Sequence, residues 1–475
     1  MGLWPAPWPR SAHFIGVGGV AMSALATVLK ARGVDVRGSD RALYPPASDV
    51  LAAAGIELRT PFAAANLDPA PDLVVVGNAV SRGNPELERA LDERLPLAAM
   101  AEVIERLLVP GKRVVAVAGT HGKTTTSSVV AFLLDAAGRD PSFIVGGAPG
   151  NFASGGRLGA GPELVLEADE YDTAFFDKGP KFLHYWPEVA VLGPVEFDHA
   201  DIYDDEAAVL RAFSWFVRLV PAGGTLVVHG DDPRAARLAD AARCRVVRVG
   251  LGEGAALRAE GLVEDEAGQT FRVVADGREA GTARFALWGA HNARNALAAL
   301  AAAAAAGAPL EEAARSLAGF RPPRRRLELI GRADGAAVYD DFAHHPTAIA
   351  ATLAALRRRT PATGRLVACV EPRSNTMVRS FFQERLVDAL AAADVVYLGA
   401  VDRPERFGDG ERLDVARLAA ELGARGVAAA GPLAPAEIAE RVLRDLRPGD
   451  RVALMSNGAF GGLAGTLRAR LGDVA

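Results

Sequence analysis

Residues 115–134 read VAVAGTHGKTTTSSVVAFLL. The first part is a run of small and β-branched apolar residues, the last is an apolar-patterned helix, and GTHGKTTT lies between them. A buried strand, a glycine turn and a helix in that order open a parallel α/β unit. Gly119 and Gly122 let the backbone turn tightly and aim N–H groups inward, with Thr120 and His121 between them. Lys123 can then reach the β and γ phosphates of a nucleotide, and Thr124 can offer its hydroxyl to Mg²⁺. The helix that continues through Thr125 adds its positive N-terminal end. The general P-loop pattern asks for a glycine where Val117 stands, so this turn departs from it. A glycine turn with a surface lysine is the plain alternative, and the strand and helix on either side argue against it. The turn points to a nucleotide and leaves the reaction open.

Moving outward, LVLEADEYD places Glu167, Asp169, Glu170 and Asp172 at the end of an apolar strand. VAVLGPVEFDHAD ends the next strand in Glu196, Asp198 and His199. In a parallel sheet the C-terminal strand ends form the ligand crevice, and hard cations take oxygen ligands. Any one of these acids could cap a helix or face water; two successive acidic strand ends beside the glycine turn read as a metal site. Taken alone, His199 reads as a helix-start or core residue.

Strand, turn and helix also open the chain, in HFIGVGGVAMSALATVLKARG, followed by strands VDVRGSD and DLVVVGN. The pattern returns beyond RPPRRR, in AAVYDDFAHHPTAIAATL, GRLVACVEP, ADVVYLGAV and RVALMSNG. Short glycine-separated runs from Leu257 to Leu287 look antiparallel. At 475 residues the chain exceeds one ordinary core. We read an α/β protein of three domains: residues 1–109, Rossmann-like; 110–322, a P-loop ATPase-like sheet with an antiparallel portion; and 323–475, again Rossmann-like.

A net charge of -5 gives no large basic field, which argues against nucleic acid as the main partner. The two cysteines, Cys244 and Cys369, lie far apart and define neither a disulfide framework nor a zinc site. Prolines interrupt the N-terminal stretch where an export signal would run, and the alanine-rich segment from Leu297 reads as a packed helix rather than a membrane span. The expected setting is the reducing cytoplasm, with no membrane and no obligate protein partner.

AGTHGKTTT, EADEYD, EFDHAD, HNARNALAA, PPRRRLELIG and YDDFAHHPTA occur here in the order they take in the Mur ligases, and the resemblance to that family covers almost the whole chain. Mur ligases are the ATP-dependent amide-bond ligases of peptidoglycan synthesis. GTHGKTTT and HFIGVGG resemble the group that handles UDP-N-acetylmuramate. One branch of that group adds L-alanine; another attaches the recycled tripeptide L-alanyl-γ-D-glutamyl-meso-diaminopimelate. LYPPAS, GNAVSRGNPE, EADEYDTAFFDKGPKFLHYWP and VEPRSNTM look more like the tripeptide branch.

The resemblance implies ATP and Mg²⁺ as cofactors, and UDP-N-acetylmuramate with a peptide or amino acid as substrates. Lys123, Glu167 and His199 would be catalytic, with Thr124 and Glu167 on one Mg²⁺ and Glu167 and His199 on another. ATP would meet Gly119 to Thr125, His291, Asn292, Asn295, Asp341 and Arg326, although Arg324 or Arg325 could make the arginine contact. Gly16, Gly18 and Gly19 would cradle the UDP pyrophosphate, with Ser39, Asp40 and Asn78 beside it. Arg373, Ser374 and Asn375, with His344 and His345, would receive the peptide, arginine being suited to bidentate carboxylate binding. Gly193 and Pro194 stand where family members usually carry asparagine, and Pro194 has no N–H to donate. Two other readings explain less. A dinucleotide-dependent oxidoreductase would use the N-terminal glycines and leave GTHGKTTT idle, and a nucleotide-binding regulator would have no need of EPRSN.

Overall fold

Three apolar runs, residues 114–118, 189–192 and 164–166, are buried along their whole length, as strands covered by helices on both faces must be. In the computed structural model, which describes residues 8–44, 47–408 and 410–471, they lie at the middle of a ten-stranded sheet. The proline-rich N-terminal stretch up to residue 7 and the two prolines of LYPPAS lie outside the described residues. The sheet runs in space from Arg278–Phe285 through Gly268–Ala275, Leu257–Asp265, Arg245–Gly250, Thr225–His229, Val189–Leu192, Arg113–Ala118, Glu163–Glu167 and Ser142–Ile144 to Gly156–Arg157. Pairing is parallel from Leu257–Asp265 to Ser142–Ile144 and antiparallel at both edges. The antiparallel portion expected from residue 257 onward is therefore present.

The N-terminal sheet has five parallel strands, in the order Glu57–Arg59, Asp35–Ser39, Ser11–Ile15, Leu73–Val76 and Leu97–Ala99. The C-terminal sheet has six: an antiparallel edge strand Glu328–Ala333, then Ala336–Asp341, Arg451–Met455, Leu366–Val370, Val395–Gly399 and Ala428–Leu433, all parallel. The three-domain α/β architecture read from the sequence is the one observed. By compactness the N-terminal and central sheets form one unit (Met1–Phe197, Ile202–Ala286, Asn292–Pro323), and the C-terminal sheet forms a second that includes Asp198–Asp201 and Leu287–His291.

Within the first unit, a hairpin of Asp172–Ala174 and Asp177–Pro180 leaves the central sheet just after its acidic strand end. Phe175 and Phe176 at its tip pack into the N-terminal core against Ile15, Leu67, Val74, Val76, Val80 and Leu87. The alanine-rich segment forms the buried helix Ala290–Ala305. Among the described residues no helix is long and apolar enough to cross a membrane.

Candidate functional site

Helix Lys123–Ala136 begins directly from Gly122, which sits at φ +79 and offers no side-chain cap. The first N–H groups of the helix therefore donate to no capping side chain, the arrangement that suits an anion. Two close approaches fix the glycines. A Cβ on Gly122 would lie 2.4 Å from Asn295 Oδ1, and one on Gly119, at φ +132, would lie 2.8 Å from Gly193 Cα. Gly193 thus has a local reason: it lets the neighbouring strand end come against the turn. Pro194 still contributes through its carbonyl, which accepts the Thr120 N–H at 2.8 Å. The Thr120 hydroxyl accepts the Glu196 N–H at 2.9 Å, and His121 lies 3.9 Å from the Glu196 carboxylate. These contacts tie the turn to the second acidic strand end.

Lys123 Nζ donates to the Gly119 carbonyl at 2.8 Å and to Glu170 Oε2 at 2.7 Å, and stands 4.0 Å from Asp169. Burial alone would lower the pKa of this ammonium, but the Glu170 and Asp169 carboxylates outweigh burial and hold it above the ordinary lysine range. Beside it, the Thr124 hydroxyl donates to Glu167 Oε1 at 2.7 Å, while the other oxygen of Glu167 accepts the Gly146 N–H. Burial, followed by the neighbouring Asp169, pushes the Glu167 carboxyl up. A hydroxyl and a buried carboxylate meeting at a parallel strand end are the hard oxygen donors Mg²⁺ prefers, so Thr124 and Glu167 fit a divalent ion next to bound phosphate. Gly146 was not anticipated, although the glycine pair after FIV was its signal in the sequence.

Asn292 and Asn295 are buried on the helix that backs the turn, and the Asn295 amide donates to Asn292 Oδ1 at 3.2 Å. Asn295 is thereby set beside Gly122, with Asn292 behind it, within the first unit.

The N-terminal turn is built differently. Gly16 is at φ +82, and its N–H and that of Val17 both donate to the Ser39 carbonyl. The Gly18 N–H donates to Asp40 Oδ2 at 2.9 Å, and Gly19 is exposed at the start of helix Val20–Ala31. Asn78 is exposed just past strand Leu73–Val76. Ser39 is fully buried and donates to Glu86, which also accepts from Asn66 at 2.7 Å and from the Ala63 N–H at 3.1 Å. His13 Nε2 is 2.9 Å from the same carboxylate. Ser39 therefore belongs to a buried network that shapes the strand end. Glu86 was not anticipated, because its partners are 20 to 73 residues away in sequence.

In the second unit, His199 takes a backbone φ of +54, and its N–H donates to Asp198 Oδ1. Burial would raise the Asp198 carboxyl, but the imidazoles of His199, His344 and His345 and the Thr376 hydroxyl bring it well below the usual range. His345 is buried and caps helix Pro346–Arg357. Ser374 Oγ accepts the Met377 N–H, and the Asn375 amide donates to Asp201 at 2.8 Å. Arg373 lies 3.6 Å from Glu371 and 3.9 Å from Asp402 and packs over Gly458. Arg325 and Arg326 both sit over the Phe342 ring, and Arg325 also pairs with Asp340 at 3.4 Å, while Arg324 is exposed. Asp341 is buried and accepts from Leu327 N, Ala343 N and Thr352 Oγ1. His291 packs beside Gly289.

Three family models match successive stretches: the Mur ligase family catalytic domain over residues 11–110, the Mur ligase middle domain over 117–303, and the Mur ligase glutamate ligase domain over 325–458. The chain is 40% identical over 455 residues to the UDP-N-acetylmuramate–L-alanyl-γ-D-glutamyl-meso-2,6-diaminoheptandioate ligase of Escherichia coli K12, covering 95% of this chain and 96% of that one. The crystal structure of a murein peptide ligase from Psychrobacter arcticus superposes with a TM-score of 0.73 at 33% identity, over 98% of this chain and 99% of the other. A UDP-N-acetylmuramate–alanine ligase from Thermotoga maritima gives a TM-score of 0.78 at 25% identity, over 97% and 98%.

Proposed function

The chain belongs to the Mur ligase family and is an ATP-dependent ligase, and we propose that it joins UDP-N-acetylmuramate to the tripeptide L-alanyl-γ-D-glutamyl-meso-diaminopimelate. The observation that carries the chemistry is Lys123 Nζ poised between Gly119 O and Glu170, one residue from the Thr124–Glu167 pair. A carboxylate is a poor acyl donor. ATP would phosphorylate the lactyl carboxylate of the sugar, giving an acyl phosphate and ADP; the peptide amine attacks, and phosphate leaves from the tetrahedral intermediate. Phosphoryl transfer is catalysed mainly by positioning and charge neutralisation. Gly119, Gly122 and the uncapped helix start hold the phosphates, and Lys123 neutralises the transferred group. Thr124 and Glu167 would hold Mg²⁺, which would supply further positive charge to the phosphates. Asn292 and Asn295 are assigned to the nucleoside, Gly16 to Gly19 with Asp40 and Asn78 to the UDP moiety, and Arg373 to a carboxylate of the acceptor.

The tripeptide is favoured by similarity to the Escherichia coli enzyme along nearly the whole length of both chains. L-Alanine as acceptor is the second reading, favoured by the likeness in fold to the Thermotoga enzyme. Offering both acceptors together with ATP, Mg²⁺ and UDP-N-acetylmuramate, and weighing the product by mass spectrometry, decides between them. Tripeptide product in excess is expected. Alanine product alone replaces the reading, and no ADP formation with either acceptor removes it.

A further inference from the structure

Lys181 lies within the stretch EADEYDTAFFDKGPKFLHYWP but is not among the residues assigned to the site. It opens the short turn Lys181–His184 that follows the hairpin, and its side chain returns beneath the acidic strand end. The ammonium is 3.5 Å from Asp169 Oδ2 and 4.1 Å from the centroid of the Tyr171 ring, and the residue is 5% exposed. Lysine is rarely buried to this degree without a counter-charge. Asp169 Oδ1 is also 4.0 Å from Lys123 Nζ, so this one carboxylate stands between two ammonium groups.

The two lysines differ in what they can do. Lys123 sits at the mouth of the glycine turn, and to meet the β and γ phosphates it must loosen its bonds to Gly119 O and Glu170. As it does so, the acidic strand end gives up a cation while the negative charges of a triphosphate arrive beside it. Uncompensated, Asp169 would repel the phosphates and draw Lys123 back. Lys181 cannot follow the ligand, because its burial and the Tyr171 ring keep it on Asp169.

We propose that Lys181 is a positioning residue, the standing counter-ion of Asp169 that frees Lys123 to leave the acidic strand end for the phosphates. It acts through Asp169 and Lys123 rather than by touching substrate. This rests on the reading of Lys123 as the grip on the triphosphate.

The test is calorimetric titration of the full-length protein with the magnesium complex of a non-hydrolysable ATP analogue and, separately, with UDP-N-acetylmuramate. Lys181→Met should weaken nucleotide binding by about tenfold, ~1.4 kcal/mol, and leave UDP-sugar binding unchanged; Lys181→Arg should keep most of the nucleotide affinity. In a protein already carrying Asp169→Asn, adding Lys181→Met should change nucleotide affinity by less than about twofold, because the charge it answers is gone. A residue that only packs the hairpin would lower both affinities and would not be rescued by Asp169→Asn. Equal nucleotide binding by wild type and Lys181→Met, or an undiminished loss in the Asp169→Asn background, overturns the proposal. Should the single variant not fold, the comparison made within the Asp169→Asn background decides by itself. Failure of the wild type to bind the nucleotide at all is a different result, and removes the ligase reading.

Discussion

The glycine turns Gly16–Gly19 and Gly119–Gly122 each lie between a strand and a helix of a parallel sheet, and they use their polar groups differently. At Gly16–Gly19 the chain supplies its own acceptors: Asp40 takes the Gly18 N–H, and the Ser39 carbonyl takes those of Gly16 and Val17. The helix starts at Gly19 and Gly122 both lack a side-chain cap, but only at Gly119–Gly122 does a lysine lie at the first helical position, paired with acids that the proposed phosphates would replace. Similar backbones thus become a shaped shelf in one place and a turn suited to gripping an anion in the other. The side chains that close around each turn make the difference.

The sharpest way to break the comparison is Lys123→Ala. The central turn loses the cation proposed to meet the phosphates, and ADP formation should fall by about 10³-fold or more, with UDP-sugar binding kept; a coupled ADP assay and calorimetry check both halves. Gly122→Ala comes next. It demands φ +79 of an alanine and drives its Cβ to 2.4 Å from Asn295 Oδ1, so a loss of ~2–4 kcal/mol is expected in urea unfolding. Gly19→Ala, whose Cβ meets nothing nearer than 3.7 Å, should stay within about 0.5 kcal/mol of wild type.

The two sheets that carry these turns also each hold a buried histidine, and acid should act on the two surroundings in different windows. His229 is pushed down to about 4, by burial first and by the Arg294 charge second. Its ordinary value is ~6.5, so the unfolded chain takes up the proton first. Stability from this group is therefore complete above pH ~6.5 and declines toward pH ~4, by ~3 kcal/mol at most; His229→Gln should flatten that slope. His13 instead lies against Glu86, whose carboxyl burial would raise but which hydrogen bonds from His13, Ser39 and Asn66 hold below its ordinary value. Its contribution is present above pH ~4.5 and is lost only as pH falls further. Glu86→Gln should cost ~1–3 kcal/mol and remove that lower step. Chemical denaturation at successive pH values resolves the two.

Much of this architecture was legible in the sequence, because fully apolar strands and strand–glycine–helix punctuation report local chemistry. GTHGKTTT, the acids at Glu167–Asp172 and the antiparallel run from Leu257 were all visible in that way. What was not visible depends on contacts made across long stretches of chain. Ser39 looked like a ligand contact, and the structure commits its hydroxyl to Glu86, 47 residues on. Gly193 looked like a lost asparagine, and it makes room for Gly119. Lys181, between Gly-Pro and the aromatic stretch FLHYW, carried no local sign of which carboxylate it would be buried against.

The hairpin with Phe175 and Phe176 at its tip has a practical bearing on how this protein can be taken apart. A fragment cut at the first domain boundary would leave an apolar hollow beneath Val74 and Leu87 that two aromatic rings normally fill. Such a piece would expose a greasy face and tend to self-associate. Anyone wishing to study the N-terminal domain alone should splice those rings back in, or replace the lining around the hollow with polar side chains.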